Sequence, residues 1–332
     1  MQTFAFSRAT RIDQAIQAGT RASTAQQGAE VRFVAGGTTL IDLMKLDVEH
    51  PAQVIDINHL PLGEVEQTSD GGLKIGALVR NADLAVHPQV QQHYAVLGEA
   101  LLSGASGQLR NMATTGGNLL QRTRCVYFRD TACACNKREP GSGCAAIGGY
   151  NRNLAILGVS KHCIASNPSD MNVALAALEA IVVIRGARGE RQVPINEFFL
   201  LPGDTPQRET VLEPGDLITH VLLPRPLDGA RSHYLKLRDR ASYEFALASA
   251  AVVVHTENRR IVQARVAMGG IGTRPWRSPE AEHVLAGQAP SPALFDRAAQ
   301  ALLANAQPQS QNGFKQELAR RCLIQALGTV TA

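Results

Sequence analysis

Hydrophobic and polar positions fall into short β-like runs and stretches at helical spacing. Val31-Arg32-Phe33-Val34-Ala35 is a β-rich run. It meets Gly36-Gly37 and then Thr38 to Met44, which has helical character. This predicts a strand, a glycine turn and a helix start. Gln53 to Ile57 and Leu73 to Val79 read as further strands, and Asn81 to Val86 as a short helix. Tyr94, Leu97 and Leu101 recur at helical spacing, which predicts a helix over 92–103 with one buried face. Asn167-Pro168-Ser169-Asp170 is a turn rich in helix-capping residues, leading into a helix from Met171 to Ala180. Ile181 to Arg185 and Arg191 to Ile195 flank Gly186-Ala187-Arg188-Gly189 as a hairpin. Pro224-Arg225-Pro226 marks the best boundary, dividing the chain into 1–224 and 225–332. Beyond it Tyr234 to Arg238, Phe245 to His255 and Ile261 to Met268 are strand-like, and 279–327 is mainly helical. Strands followed by helices predict a separate α+β domain.

Two stretches interrupt this pattern. In 104–118, Gly104, Gly107, Gly116 and Gly117 punctuate a run of hydroxyl and polar residues, as expected where a ligand approaches the backbone. Residues 121–153 carry no sustained period, and so long a loop needs something to hold it. Six cysteines occur in the chain, and five of them lie between Cys125 and Cys163. Without a visible secretory signal, such crowding points to metal ligation before disulfides.

Composition narrows the classes. At 332 residues the chain is expected to form two or three units of about 100–200 residues each. A net charge of only +4 and few aromatics argue against nucleic-acid binding. No stretch approaches the ~18 apolar residues of a membrane span. Residues 1–30 lack a basic start followed by an apolar run, so its own address information keeps the chain in the cytoplasm.

Ala35-Gly36-Gly37-Thr38-Thr39 offers several backbone N–H donors and little bulk at a strand-to-helix junction, which suits a diphosphate. It is not a G-x-G-x-x-G fingerprint. Alone it is equally a glycine pair closing a tight turn. Taken together with Arg110-Asn111-Met112-Ala113-Thr114-Thr115-Gly116-Gly117-Asn118, it resembles the FAD-binding subunits of xanthine dehydrogenases, carbon monoxide dehydrogenases and related molybdenum hydroxylases. The resemblance continues through Asn167 to Met171, Leu217-Ile218 and Tyr234 to Arg238, and covers essentially the whole chain.

That resemblance implies an α+β chain: a two-part FAD fold of the vanillyl-alcohol-oxidase type, followed by an α+β domain of the CO dehydrogenase flavoprotein type. It implies that Arg32, Phe33, Val34, Ala35, Gly36, Gly37, Thr38, Thr39 and Leu40 wrap the FAD pyrophosphate. Thr114, Gly117 and Asn118 form a second contacting segment, and Asp170, Leu217 and Lys236 match further family positions. Asp170 is otherwise an exposed acid at a helix start, and Lys236 a solvated strand residue.

The segment 121–162 is an insert that most of the family lacks. It is similar to the subgroup of FAD and [4Fe–4S] subunits of bacterial periplasmic aldehyde oxidoreductases. The implied cluster ligands are Cys125, Cys135, Cys144 and Cys163, separated by nine, eight and eighteen residues. Cys133 departs from the pattern and stands as an alternative to Cys135. Arg122, Arg124, Arg129, Lys137 and Arg138 face only Asp130 and Glu139 in this loop, an expected surplus of positive charge. Structural zinc is the rival occupant, although zinc sites usually show paired C-x₂₋₄-C knuckles. Disulfides or free thiols are the remaining alternative. Cys322 shares an apolar helix face with Ala319, Leu323 and Ala326 and is expected in the core.

No nucleophile elbow, paired catalytic carboxylates or H-E-x-x-H is present. A redox relay needs little such machinery, because cofactors carry the chemistry. The expected function is electron transfer within a molybdenum-dependent aldehyde oxidoreductase. The implied partners are a small [2Fe–2S] subunit and a large molybdopterin subunit, with export to the periplasm alongside a signal-bearing partner. The alternatives are a xanthine- or purine-type dehydrogenase subunit reducing NAD, a zinc-held non-redox module and a stand-alone flavin oxidase.

Overall fold

Three sheets organise residues 1–332 of the computed structural model. The first is parallel, with Gln53–Asp56 between Ala5–Arg8 and Val31–Val34. The second is antiparallel, in the order Val65–Gln67, Leu73–Gly76, Leu217–Leu223, Ile181–Gly186, Gly189–Pro194. The third runs Trp276–Arg277, Arg260–Gly269, Ala248–Glu257, Arg231–Leu237, also antiparallel. No helix is long and apolar enough to cross a membrane.

The helix Asn81–Val86 and the hairpin of Ile181–Gly186 with Gly189–Pro194 lie where the pattern placed them. The helix read over 92–103 is instead two, Pro88–His93 and Ala95–Ser103. Tyr94 breaks it at φ −134°, ψ 45°, because its buried ring carries a hydroxyl that donates to Pro224 O at 2.8 Å. Pro88 opens the first piece, where its missing N–H costs nothing. The glycine-rich stretch is not all loop. It holds the short helices Gly107–Met112 and Thr115–Leu119, capped by the hydroxyls of Ser106 and Thr114.

Along Ala248–Glu257 the side chains alternate between two cores. Ala248, Ala250, Val252 and Val254 pack with the C-terminal helices Pro279–Leu285, Pro292–Leu303 and Phe314–Thr331. Ala251 and Val253 face the other way, into the core that holds Asp170–Ala177 and Ala95–Ser103. Cys322 is buried with Ala319, Leu323 and Ala326, as its helix face predicts. The chain leaving the cysteine-rich segment is stitched to the loop between the last two of these helices: Gln307 N donates to Ile156 O at 2.7 Å, and Asn312 Nδ2 donates to Leu154 O and Ala155 O.

Lys315 is fully buried, and its ammonium donates only to Gly270 O, at 2.8 Å. Burial, reinforced by Arg152, lowers its pKa from 10.5 to about 7. Between those values the unfolded chain binds a proton that the native chain does not, so stability rises with pH across that window. Lys315→Met is expected to raise the melting temperature at neutral pH and to abolish that rise, as thermal unfolding from pH 7 to 10 will show.

Candidate functional site

The glycine turn follows Val34, where the parallel strand pair ends, and Asn58 Nδ2 holds it by donating to Ala35 O at 2.9 Å. Gly37 has φ +73°, a conformation that favours glycine. Gly36 is required for a different reason. A Cβ there would lie 1.9 Å from Met112 O, so the turn presses directly on the second glycine-rich segment. The amides of Gly36, Gly37, Thr38 and Thr39 donate to no group within the chain. Four successive free N–H groups form an anion-binding concavity.

A lobe of about 180 Å³ is lined by Arg32 to Leu40 together with Thr114, Gly117 and Leu217. A larger lobe of about 580 Å³ is lined by Asn118, Asp170 and Lys236. Thr38, Thr39 and Gly117 border both, so the two lobes meet at the turn as one bent groove. The structure thus gathers every proposed flavin contact around a single groove. A long two-ended ligand with an anionic waist fits this shape.

Asp170 and Lys236 are not solvated. Lys236 Nζ donates to Asp170 Oδ2 at 2.7 Å and to Ser103 O at 3.1 Å, and Tyr234 OH donates to Asp170 Oδ1 at 2.6 Å. Burial, then the neighbouring Asp170 carboxylate, push the Tyr234 hydroxyl well above its usual range, so it stays a donor. Ser169, which caps the helix Asp170–Ala177, accepts from Asn172 N at 3.0 Å and donates to Asn118 Oδ1 at 2.7 Å. The second glycine segment and the acidic helix start are thereby tied together.

Cys125, Cys135 and Cys163 are buried in one small core with Phe128, and Cys144 packs against it. All four line one narrow cavity. Cys135 and Cys144 face each other across an isolated antiparallel bridge. Asn136 staples the loop between them, its Oδ1 accepting from Gly141 N at 3.1 Å and Gly143 N at 2.8 Å. Cys133 lies outside, with Sγ 3.5 Å from Asp130 Oδ2. All six cysteines are free, so the disulfide reading does not hold. No three potential ligands converge closely enough to hold one metal ion. Burial pushes the Cys125 thiol up to about 12 and raises Cys144 and Cys163. These thiols give up their protons only to a strong positive centre.

The surplus charge expected in this segment is corrected by acids far away in the chain. Arg122 pairs with Glu49 and Glu209, Lys137 with Glu209, and Arg124 and Arg129 with Asp42. Arg138 donates to the carbonyls of Tyr127 and Phe128. The pattern also missed Arg122 and Arg124 as groove residues, and Tyr234 as the hydroxyl that holds Asp170. Arg124 lines the larger lobe, lies over the Phe245 ring at 5.1 Å and directly precedes Cys125. Adjacency to a cysteine was the only hint that the sequence offered.

A groove with free amides at its waist, on a mixed helix-and-sheet scaffold, suits a dinucleotide cofactor. Residues 2–226 match the FAD-binding domain of molybdopterin dehydrogenases, and residues 233–330 match the C-terminal domain of CO dehydrogenase flavoproteins. The aldehyde oxidoreductase FAD-binding subunit of Escherichia coli is 50% identical over 312 residues, 94% of this chain and 95% of that protein. The glyceraldehyde dehydrogenase medium chain of Sulfolobus acidocaldarius is 29% identical over 257 residues, 77% of this chain and 74% of that one. The solved carbon monoxide dehydrogenase of Hydrogenophaga pseudoflava shares the fold, with a TM-score of 0.77 over 99% of this chain and 97% of that one at 24% identity. The chain belongs to the family of FAD-binding medium subunits of molybdenum hydroxylases. It is therefore an oxidoreductase subunit that binds FAD, and the non-redox module is set aside.

Gly36→Ala must push the two glycine segments apart. Overpacking of this kind costs about 1–3 kcal/mol. The variant is expected to melt earlier and to purify without flavin, as calorimetry and the flavin-to-protein ratio will show. Flavin retained at the native ratio contradicts this view of the turn.

Proposed function

We propose that this chain is the electron-transfer subunit of a molybdenum-dependent aldehyde oxidoreductase, carrying FAD and one [4Fe–4S] cluster. The observation that carries the reading is 50% identity, across 94% of the chain, to a subunit of that enzyme class. The cysteine geometry supports the cluster. A single zinc ion needs its thiolates about 2.3 Å away, all converging on one point. A cubane instead takes each thiolate on a separate iron, so its four ligands stand further apart around one cavity. Cys125, Cys135, Cys144 and Cys163 line one such cavity. The proposed partners are a small [2Fe–2S] subunit and a large molybdopterin subunit, where substrate is oxidised. The proposed folding units are 1–224 and 225–332.

Bound FAD would supply two-electron to one-electron exchange between these partners and an external acceptor. The chain's own residues position and insulate. The amides of Gly36 to Thr39 hold the diphosphate, and Thr114 and Gly117 close the waist. Tyr234 and Lys236 fix the Asp170 carboxylate at the wall of the larger lobe.

The test is an anaerobic visible spectrum with iron and zinc analysis of the co-expressed complex. Oxidised-flavin bands, broad iron–sulfur absorption and about four irons per complex beyond those of the [2Fe–2S] partner are expected. Cys135→Ser is expected to lose that iron, and Cys133→Ser to keep it. Zinc in place of iron contradicts the cluster, and rapid NADH oxidation favours the NAD-reducing alternative. We also propose a periplasmic location reached by co-export with a signal-bearing partner. A complex found only in the cytoplasmic fraction contradicts it.

A further inference from the structure

We propose that a chain of partly buried ion pairs, Arg32–Glu49–Arg122–Glu209–Lys137, couples the flavin groove to the cysteine cavity, so that filling either site tightens the other. The inference rests on the cofactor reading above. Arg32 Nη2 lies 2.9 Å from Glu49 Oε2, and Arg122 Nη1 lies 2.5 Å from Glu49 Oε1. Arg122 Nε also pairs with Glu209, whose other oxygen accepts from Lys137 Nζ at 2.9 Å.

The ends of this chain lie in different sites. Arg32 and Arg122 line the groove lobe at the glycine turn. Lys137 lines the cysteine cavity, two residues beyond Cys135. Arg122 reaches the cysteine core by a second route, because its guanidinium lies over the Phe128 ring at 4.7 Å. Its Nη2 is buried without a partner in the chain.

Three cations here face two carboxylates. An anionic thiolate centre beside Lys137 balances the surplus and fixes the loop that carries it. With Lys137 fixed, Glu209, Arg122, Glu49 and Arg32 each have one low-energy arrangement, because displacing any of them strands a buried charge. Arg32 belongs to the strand that ends in the turn. Arg122 and Glu49 are thus positioning residues for the flavin, and the coupling must act equally in both directions.

The test uses the assembled complex, stripped of flavin and titrated with FAD by fluorescence, with iron measured in parallel. Cys144→Ser, lacking the iron, is expected to weaken FAD binding roughly 5- to 150-fold, the ordinary range of coupling between sites. In a Lys137→Met background, adding Cys144→Ser is expected to change the FAD Kd by less than about twofold. Lys137→Arg is expected to restore the difference. Circular dichroism and melting curves show that each variant is folded. Unchanged FAD affinity in the Cys144→Ser complex overturns the coupling alone, as does an undiminished loss in the Lys137→Met background. A wild-type complex whose iron never exceeds that of the [2Fe–2S] partner overturns the coupling and the cofactor reading together.

Discussion

Glu49 has 3% of its surface exposed, and a carboxylate so buried is tolerable only because two guanidiniums close on it. One of them, Arg32, belongs to the strand that delivers the glycine turn, and the other, Arg122, opens the cysteine-rich segment. Removing one partner of such a buried pair costs about 3–5 kcal/mol. The flavin turn and the insert therefore cannot adjust independently. Glu209 extends the arrangement. Its burial favours the neutral acid, but Arg122 and Lys137 outweigh that and hold its pKa at about 2. Its pairing is present above the ordinary carboxylate pKa of about 4.3. It fades only as pH falls through that lower value.

Around that anchor, the groove is made by close approach of backbone rather than by polar side chains. Gly36 lies against Met112 O, and Gly116 against Ala77. The result is a waist of free amides that favours an anion without burying a fixed positive charge. The larger lobe follows a different rule. Asp170 has both oxygens occupied, by Tyr234 and Lys236. Groups satisfied in this way hold that wall in one arrangement.

The sequence made much of this legible wherever local rules decide the outcome. Asn81–Val86, the hairpin over 181–194 and the Ser169 cap obey periodicity, turn and capping chemistry, and none needs a distant partner. The strand Ala5–Arg8 carried no clear pattern, being four residues long and mostly exposed; the helix Ile12–Gly19 went unread although Ile12, Ala15, Ile16 and Gly19 recur at helical spacing. The split at Tyr94 depends on Pro224, which is 130 residues away. Site residues divide along the same line. Glycine and hydroxyl residues announced the groove, because close backbone approach constrains residue type. The partners of Arg122, Arg124, Arg129 and Lys137 were hidden, because Asp42, Glu49 and Glu209 meet them only in three dimensions. Spacing could not choose between Cys133 and Cys135, whereas the cavity includes only Cys135.

The central claim is that one groove and one thiol cavity, joined through Glu49, hold the two cofactors of this subunit. The most direct test is an experimental structure of the assembled complex with its cofactors retained, including anomalous scattering at the iron edge. The account predicts a flavin diphosphate on the amides of Gly36 to Thr39 and an iron signal bounded by Cys125, Cys135, Cys144 and Cys163. Flavin density elsewhere, or a metal held through Cys133, would contradict it.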